Sequence, residues 1–498
     1  MAVAGRSGDV SGVNCPLRRL AASVALACGS LAACRDSVGS VRPRPAVLQL
    51  TIEPNPLNAL SLRVVFRPQH VDSARVVYWV EGTAPDSTPF LPTLLPLDTL
   101  VTLGLHAGQT YRGRLEIAGE DTVIRVALPS KAAGALPAQL QRIALTVTGA
   151  AGPNLILTAV QFDSMGYAVA FDRTGEIRWY RPFALQPRAR VFETKQQPSG
   201  NFTAYVGTTY GPPSTHGRFY EFRPDGTIAH DYAAAVPYST DDHELLIESA
   251  AAGDTNIVMF GYDTRRLDLT TFGGAPDQML TGHTLLRQTR DGSVRFLWSA
   301  WDNFSLQDWQ EVPADLSTAI GVDFDHPNSI AVDGNGNYVV SFRNLDEITN
   351  IDAVTGRMRW RFGGRNNQFT LVGDPLAGFA GQHSVRMLPN GRLLLYDAGL
   401  HHDPPESRAA EYRLDLNAMT ATLLWQFRHT PPVYTEYLGS VQRWTDGSTL
   451  VGFGAAGLAT LVSADGSVVW EGRLTKSGVA LAPYRFIAVR SLYRFEAP

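Results

Sequence analysis

Residues Ser329–Phe362 read SIAVDGNGNYVVSFRNLDEITNIDAVTGRMRWRF, and the plan of the molecule is written in this stretch. Four short runs, SIAVD, NYVVSFR, ITNIDA and RMRWRF, are rich in β-branched and aromatic residues, which suit a pleated, half-buried surface. Between them lie Gly334-Asn335-Gly336, Asn344-Leu345-Asp346 and Thr355-Gly356, residue types that turn a chain. Short connections of this kind join neighbouring antiparallel strands, so the stretch predicts one four-stranded meander, inner strand A through outer strand D.

Outward from this unit the pattern recurs. A turn followed by a strand ending on an aromatic residue is found at DRTGEIRWYRP (Trp179), RPDGTIAHDY (Tyr232), TRDGSVRFLW (Trp298), VTGRMRW (Trp360), NAMTATLLW (Trp425) and ADGSVVW (Trp470). A second set, PSGNFTAYVG, GDTNIVMFGY, GNGNYVVSFR, PNGRLLLYDAG and TDGSTLVGFG, alternates with the first. A fixed repeat of this length means that each unit buries its faces against its neighbours. The reading is an all-β fold whose main domain, residues 146–498, is a six-bladed β-propeller. Two stacked sandwiches are the alternative that the six-fold aromatic recurrence argues against. Five complete units run from about Arg190 to Leu474. The sixth is expected to be split: Asn154–Pro182 supplies three strands and Tyr484–Leu492 (YRFIAVRSL) the inner one, which removes exposed strand edges.

Upstream, residues 47–130 alternate through VLQLTI, LSLRVVF, ARVVYWVEG, TLVTLGL, YRGRLEI and DTVIRVAL, the signature of a small N-terminal β-sandwich. Lys131–Pro137 is Ala/Gly/Pro-rich and marks a boundary. Residues 34–46 read as a tether. In residues 1–33, Arg18-Arg19 precede an apolar run from Leu20 to Ala33, long enough for a signal peptide and too short to span a bilayer. No other stretch is long and apolar enough to cross a membrane. The arginine pair fits the positive n-region of the general export route and is also compatible with twin-arginine export. Leu31-Ala32-Ala33-Cys34 resembles the lipobox of bacterial lipoprotein signals, which implies cleavage before Cys34 and acylation of its thiol; an ordinary signal peptide is the plainer alternative. Arg35 rather than Asp after that cysteine favours the outer membrane, so the expected location is the periplasm, with membrane contact only through a lipid anchor.

All three cysteines, Cys15, Cys28 and Cys34, lie in this leader, so the body holds no disulfide and no Cys-ligated metal. The chain of 498 residues carries a net charge of −4, and loss of the leader, with three arginines and one aspartate, would make it −6. No basic block exists, which argues against nucleic-acid binding.

Propeller geometry places the D-to-A and B-to-C connections on one face, around the mouth of a central channel. Three of the eleven histidines stand just before strand A of consecutive blades: His243 in TDDHELLI, His326 in DFDHPNSI and His383 in AGQHSVRM. Arg343, at the end of a strand B, projects at the same rim, with Asn328 and Asn344 as candidate substrate-binding neighbours. The plain alternative is that such histidines merely bond neighbouring backbone and hold blades together. Weaker candidates are Trp301, Phe304 and Trp309 as a phenol pocket or as packing, His401-His402-Asp403 as a metal cluster or an exposed polar loop, and Ser440 as a ligand contact.

The stretches HPNSIAVDGNGNYVVSFRNLDEITNIDAVTGRMRWRFGG, GQHSVRMLPNGRLLLYDAG and SRAAEYRLDL with LLWQF resemble the bacterial arylsulfate sulfotransferases. The similarity covers the propeller, is strongest from His326 to Phe427, and extends more loosely to the sandwich. It implies a ping-pong enzyme without cofactor, metal or nucleotide sulfate donor, which moves a sulfuryl group from a phenolic sulfate ester to a phenol through a sulfated histidine. The family's sulfated histidine matches His383, and its anion-binding residues match His243, His326 and Arg343. The body's lack of cysteines departs from the family, since a disulfide of some relatives cannot form here; the DDHELL stretch around His243 also departs from the pattern. Association as a homodimer is left open.

The residue types suit that chemistry. A sulfuryl group in flight carries negative charge on its equatorial oxygens, so cationic donors aimed at them are the main requirement. Arg343 offers a permanent charge in a planar fork. His243 and His326 can donate ring N–H groups or protonate a departing phenolate, and a neutral His383 can attack sulfur. Two rivals use the same sequence: a metal-dependent ester hydrolase built on the three histidines with Asp242 or Asp325, and a non-catalytic scaffold of the cell envelope.

Overall fold

The computed structural model describes residues 43–208, 217–249, 255–316 and 322–496. The expected signal peptide, Cys34 and nearly all of the tether lie outside the described residues. What is described is all-β, with a single α-helical turn, Ala300–Asn303, and a few 3₁₀ turns. Among the described residues no helix is long and apolar enough to cross a membrane.

The first strands form two antiparallel sheets. One orders Ala46–Pro54, Leu62–Gln69 and Asp98–Thr102; the other is built on Ser73–Trp79, Thr110–Gly119 and Thr122–Ala132. Alternation along LRVVF sends Leu62, Val64 and Phe66 to one face, where they share an apolar cluster with Val76, Tyr78, Leu115 and Ile117 of the other sheet.

Six more sheets follow, each with four antiparallel strands in sequence order from the first strand outward. Strands Arg190–Gln196, Phe202–Gly207, Arg218–Phe222 and Ile228–Tyr232 make one; Ser239–Ser249, Thr255–Leu267, Gln278–Thr289 and Val294–Ser299 the next. Then come Pro327–Val332, Tyr338–Phe342, Glu347–Ile351 and Met358–Gly363, the unit read first in the sequence. His383–Leu388, Arg392–Asp397, Arg408–Asp415 and Thr420–Arg428 form another, and Ser440–Arg443, Thr449–Phe453, Leu458–Val462 and Val468–Lys476 the last in chain order. The remaining sheet is split: Ile487–Val489 pairs with Leu155–Gln161, followed by Met165–Asp172 and Ile177–Ala184.

The first strands of successive sheets touch one another in order, and Ile487–Val489 touches Ser440–Arg443. Side chains of Gln196, Leu246, Ile330, Met387, Val441 and Ile487, one from each first strand, line a common cavity of about 690 Å³. The aromatic repeat fills the space between sheets. Trp179 is fully buried, stacks at 4.8 Å on Phe202 of the next sheet, and donates its indole N–H to the Pro224 carbonyl at 2.8 Å. Trp470 does the same across the chain's ends, donating to the Arg173 carbonyl at 2.9 Å. The terminal strand is short, and side chains secure it: Ser440 Oγ donates to the Phe486 carbonyl, and the Gln442 amide bonds both N and O of Ala488.

One strand is absent from the sequence reading. Ile143–Thr148 pairs antiparallel along the outer edge of Val468–Lys476, so the repeat region reaches three residues further upstream than residue 146. Its six residues follow a Pro/Ala-rich segment and carry no turn-aromatic signature; only the free outer edge it covers gives it a partner. Replacing the bridging indole, Trp179→Ala, is expected to cost about 3–5 kcal/mol, read as a lowered urea midpoint with little change of slope.

Candidate active site

The first strands are not regular where they begin. Their pairing slips between Thr240 and Leu245, between Pro327 and Ser329, and between His383 and Arg386. His326 and Ser384 hold φ of 47° and 54°, in the left-handed region that non-glycine residues avoid. Bulges re-aim side chains, and here they turn three histidines into a common space. His243 lies inside strand Ser239–Ser249, in its bulge, rather than before the strand as its sequence context implied. Proximity is direct: the His243 and His326 rings meet edge to face with centroids 4.7 Å apart.

His383 is only 2% exposed, and its Nδ1 faces the Gly381 carbonyl at 2.8 Å. A carbonyl only accepts, so Nδ1 carries the proton and Nε2 keeps its lone pair. Burial, then the charges of Arg343, His326 and His243, hold this imidazole well below its ordinary value. All four groups named from the sequence therefore bear on one another electrostatically, and His383 is neutral at physiological pH.

The other two histidines rest on carboxylates. His243 Nδ1 is 3.0 Å from both Asp241 oxygens and 3.2 Å from Asp242 Oδ1. Burial alone would lower its affinity for a proton, but Asp241 and Asp242 outweigh it and raise His243 above the usual imidazole range. His326 Nδ1 meets Asp323 Oδ2 at 2.7 Å. There burial, with His243 and Arg343 beside it, outweighs Asp323 and lowers His326. Two adjacent imidazoles thus shift in opposite directions, His243 toward the charged form and His326 toward the neutral one.

Arg343 falls in the 3₁₀ turn Arg343–Leu345, one residue past strand Tyr338–Phe342. Its Nη1 donates to Asn344 Oδ1 at 2.8 Å and its Nη2 to the Glu436 carbonyl at 3.2 Å. The Asn344 amide donates in turn to the Asp323 carbonyl at 2.8 Å, so one asparagine ties Arg343 to the residue that holds His326. Asn328 is fully buried and donates to the Gln382 carbonyl, next to His383. Both asparagines spend their amides on protein partners.

Sequence reading passed over several groups. Tyr484 packs 5.7 Å from the His243 ring and donates to the Asn328 carbonyl. Arg485 is buried between Glu193, at 2.7 Å, and Glu244, at 3.0 Å. Nothing in YRFIAVRSL separates these from ordinary strand residues; they matter because the chain's last strand returns to its first sheet. Asp241 and Asp323 stand two and three residues before their histidines in TDDHE and DFDHP, a local signal the sequence reading did not use; it named the adjacent Asp242 and Asp325, and those as metal-site carboxylates.

Other candidates disperse. Trp309 and Phe304 are buried in a core cluster, and Trp301 stacks on Phe324. His401 Nε2 reaches Glu311 and Asp346, whereas His402 turns inward to backbone carbonyls, so the pair does not converge with Asp403. Ser440 is consumed by the Phe486 backbone. Among the described residues three acidic groupings are compact enough to accept a cation, Asp241/Asp242/His243, His283/Asp323/Asp325 and Glu311/Asp346/His401, although in each a histidine ring nitrogen already lies against a carboxylate.

No curated protein matches the chain. Among solved structures it is similar to a Bacteroides caccae protein of unknown function, with 13% identity over 68% of this chain and 100% of that one, at a TM-score of 0.40. It is also similar to a catalytically inactive virginiamycin B lyase from Staphylococcus aureus with quinupristin, with 10% identity, 67% and 99% coverage and a TM-score of 0.34. Likenesses this distant carry nothing about chemistry. The family description Arylsulfotransferase (ASST) matches residues 218–475, which hold five of the six turn-aromatic units and all four converging groups. Over half of its length, and with the residues that meet at this site, the chain belongs to the arylsulfotransferase family.

Proposed function

We propose that this protein transfers a sulfuryl group from a phenolic sulfate ester to a phenol by a two-step route through His383, without nucleotide donor, cofactor or metal. The observation that carries the reading is the orientation of His383: Nδ1–H is committed to the Gly381 carbonyl, so the unprotonated Nε2 is the ring atom left to attack. In the first step the Nε2 lone pair forms a bond to sulfur and the bond from sulfur to the aryl oxygen breaks. The ring gains positive charge as it is sulfated, and the Gly381 carbonyl stabilises that charge through Nδ1–H. His243, raised by Asp241 and Asp242, gives its proton to the departing phenolate. Arg343 holds the equatorial oxygens; His326, neutral in the free protein, gains a proton when an anion arrives beside it. The second step is the mirror of the first: a phenol oxygen attacks sulfur, the bonding pair returns to Nε2, and His243 recovers a proton from the acceptor. Asn328 and Asn344 position the site, the one from beneath Gln382 and the other between Arg343 and Asp323.

The six sheets are proposed to be the blades of a closed propeller, residues 146–498 with the added strand from Ile143, and the two N-terminal sheets a β-sandwich over 47–130. Support comes from the first strands that touch in order and from the shared cavity. Export to the periplasm as a lipoprotein acylated at Cys34 and held at the outer membrane rests on the leader's sequence alone.

Incubation with 4-nitrophenyl sulfate, with and without phenol, tests the reaction. Nitrophenolate release should depend on acceptor beyond the first turnover, and His383→Ala should reduce it by about 10³-fold or more. Release by water alone, or full activity in the variant, would refute the proposal. A pH profile supplies a second prediction. Because His383 is lowered, it stays neutral and the rate shows no acid limb near the ordinary imidazole value of ~6.5. Because His243 is raised, its proton is present below its elevated value and lost as pH rises through it, so an alkaline limb is expected above ~6.5 and should vanish in His243→Ala.

A further inference from the structure

The cavity lined by the six first strands lies away from the histidines, further along those strands. His383 opens strand His383–Leu388, whereas Arg386, Met387 and Leu388 reach the cavity; His326 precedes Pro327–Val332, of which Ile330, Ala331 and Val332 reach it. At roughly 3.3 Å per residue, about 10–16 Å of strand separates the two places. None of His243, His326, Arg343 and His383 lines the cavity. Its volume of about 690 Å³ is that of a small-molecule pocket, and Leu246, Ile330, Met387, Val441 and Ile487 give it apolar walls.

Charge on these walls does not balance. Glu193 and Glu244 are buried, and two cations answer them: Arg485, at 2.7 and 3.0 Å, and Lys195, which is 3.1 Å from Glu193 and also bonds Glu244. Buried carboxylates need such partners, and here two have two. Arg386 is a third cation. It meets Glu244 only through Nη1, at a long 3.3 Å, and the same nitrogen donates to the Val385 carbonyl at 2.9 Å. Among the described residues its Nε and Nη2 have no hydrogen-bond partner, and the side chain, 29% exposed, borders the cavity. A second surplus stands on the same lining: Arg392 and Arg443 share Glu411, at 2.8 and 2.9 Å, and Arg443 Nη2 is buried without a partner. Glu496, the other acid of the lining, is already paired with Arg494 at 2.8 Å.

Donors left without acceptors are costly, and apolar walls strengthen the field of a charge that nothing neutralises. The open Nε–Nη2 edge of a guanidinium matches two oxygens of one planar or tetrahedral anion. We propose that this cavity is a second binding site, separate from the sulfuryl-transfer site, for an apolar organic anion. Its hydrocarbon body sits against Ile330, Met387 and Val441, and its sulfonate, sulfate or carboxylate group is held by Arg386 in a field to which Arg443 adds. The assignment does not depend on the transfer reaction.

The probe is 2-naphthalenesulfonate, whose sulfur is bound to a ring carbon rather than to an ester oxygen, so it has no sulfuryl group to give. Isothermal titration of the full chain and of His383→Ala separates the two places, and the binding that persists in His383→Ala is the one scored. One molecule per chain is expected, bound roughly 10- to 100-fold more tightly than the neutral naphthalene-2-sulfonamide. Arg386→Gln should weaken it by about ten-fold or more. So should Val332→Glu, which sets a carboxylate at a lining position that is 40% exposed. Absence of saturable binding overturns the proposal, as does equal affinity for the sulfonamide or unchanged affinity in either folded variant. Loss of all binding in His383→Ala also overturns it, since the probe would then occupy the sulfuryl-transfer site. Should Arg386→Gln fail to fold, Val332→Glu decides.

Discussion

The constraint on which the rest depends is a pairing of three residues that joins the end of the repeat region to its beginning. Ile487–Val489 pairs with Leu155–Leu157, and without it the first strand of one sheet would be missing from a set that runs in contact from Arg190–Gln196 through to Ile487–Val489. So short a strand has few ladder hydrogen bonds of its own. Ser440 and Gln442 bond its backbone from the last sheet, Thr158 bonds the Arg485 carbonyl from its own, and Arg485 sinks its guanidinium between Glu193 and Glu244. The beginning and end of the repeat region are thus fastened at the same place where the charged groups gather.

That coincidence links architecture to chemistry. Tyr484 and Arg485, on the closing segment, support the Asn328 carbonyl, and the Asn328 amide supports the segment before His383. The His383 ring is therefore held by backbone that this pairing supports, and the cost of strained φ at His326 and Ser384 is offset by packing around them. Rigid placement suits a reaction whose catalysis consists mainly of alignment and fixed charge.

Within the site, opposite shifts in proton affinity arise from small differences in surroundings. His243 faces two aspartates and His326 one, and the neighbouring Arg343 weighs against a charge on the latter. His383 has no carboxylate partner, only the Gly381 carbonyl, and that hydrogen bond is outweighed by the burial and the cations that lower it. Three imidazoles of one residue type thereby acquire three different chemical characters.

Sequence alone determined the strands and much of the cast. Periodicity of two, turns at Gly and Asn, and an aromatic residue at each unit's end are local signals, and they gave the four-stranded units nearly residue by residue; His243, His326 and His383 were visible because they recur at one position of that repeat, and Arg343 because it ends a neighbouring strand. Tertiary structure decided what local signals do not encode. The bulge that holds His243 inside a strand, the extra edge strand Ile143–Thr148, the bonds of the Asn328 and Asn344 amides to the Gln382 and Asp323 carbonyls, and the placing of His283 among Asp241, Asp323 and Asp325 all depend on pairings between distant segments. A residue's type fixes what it can donate or accept, but its proton affinity depends on burial and on which charges stand within a few ångströms, and only the folded chain sets those distances.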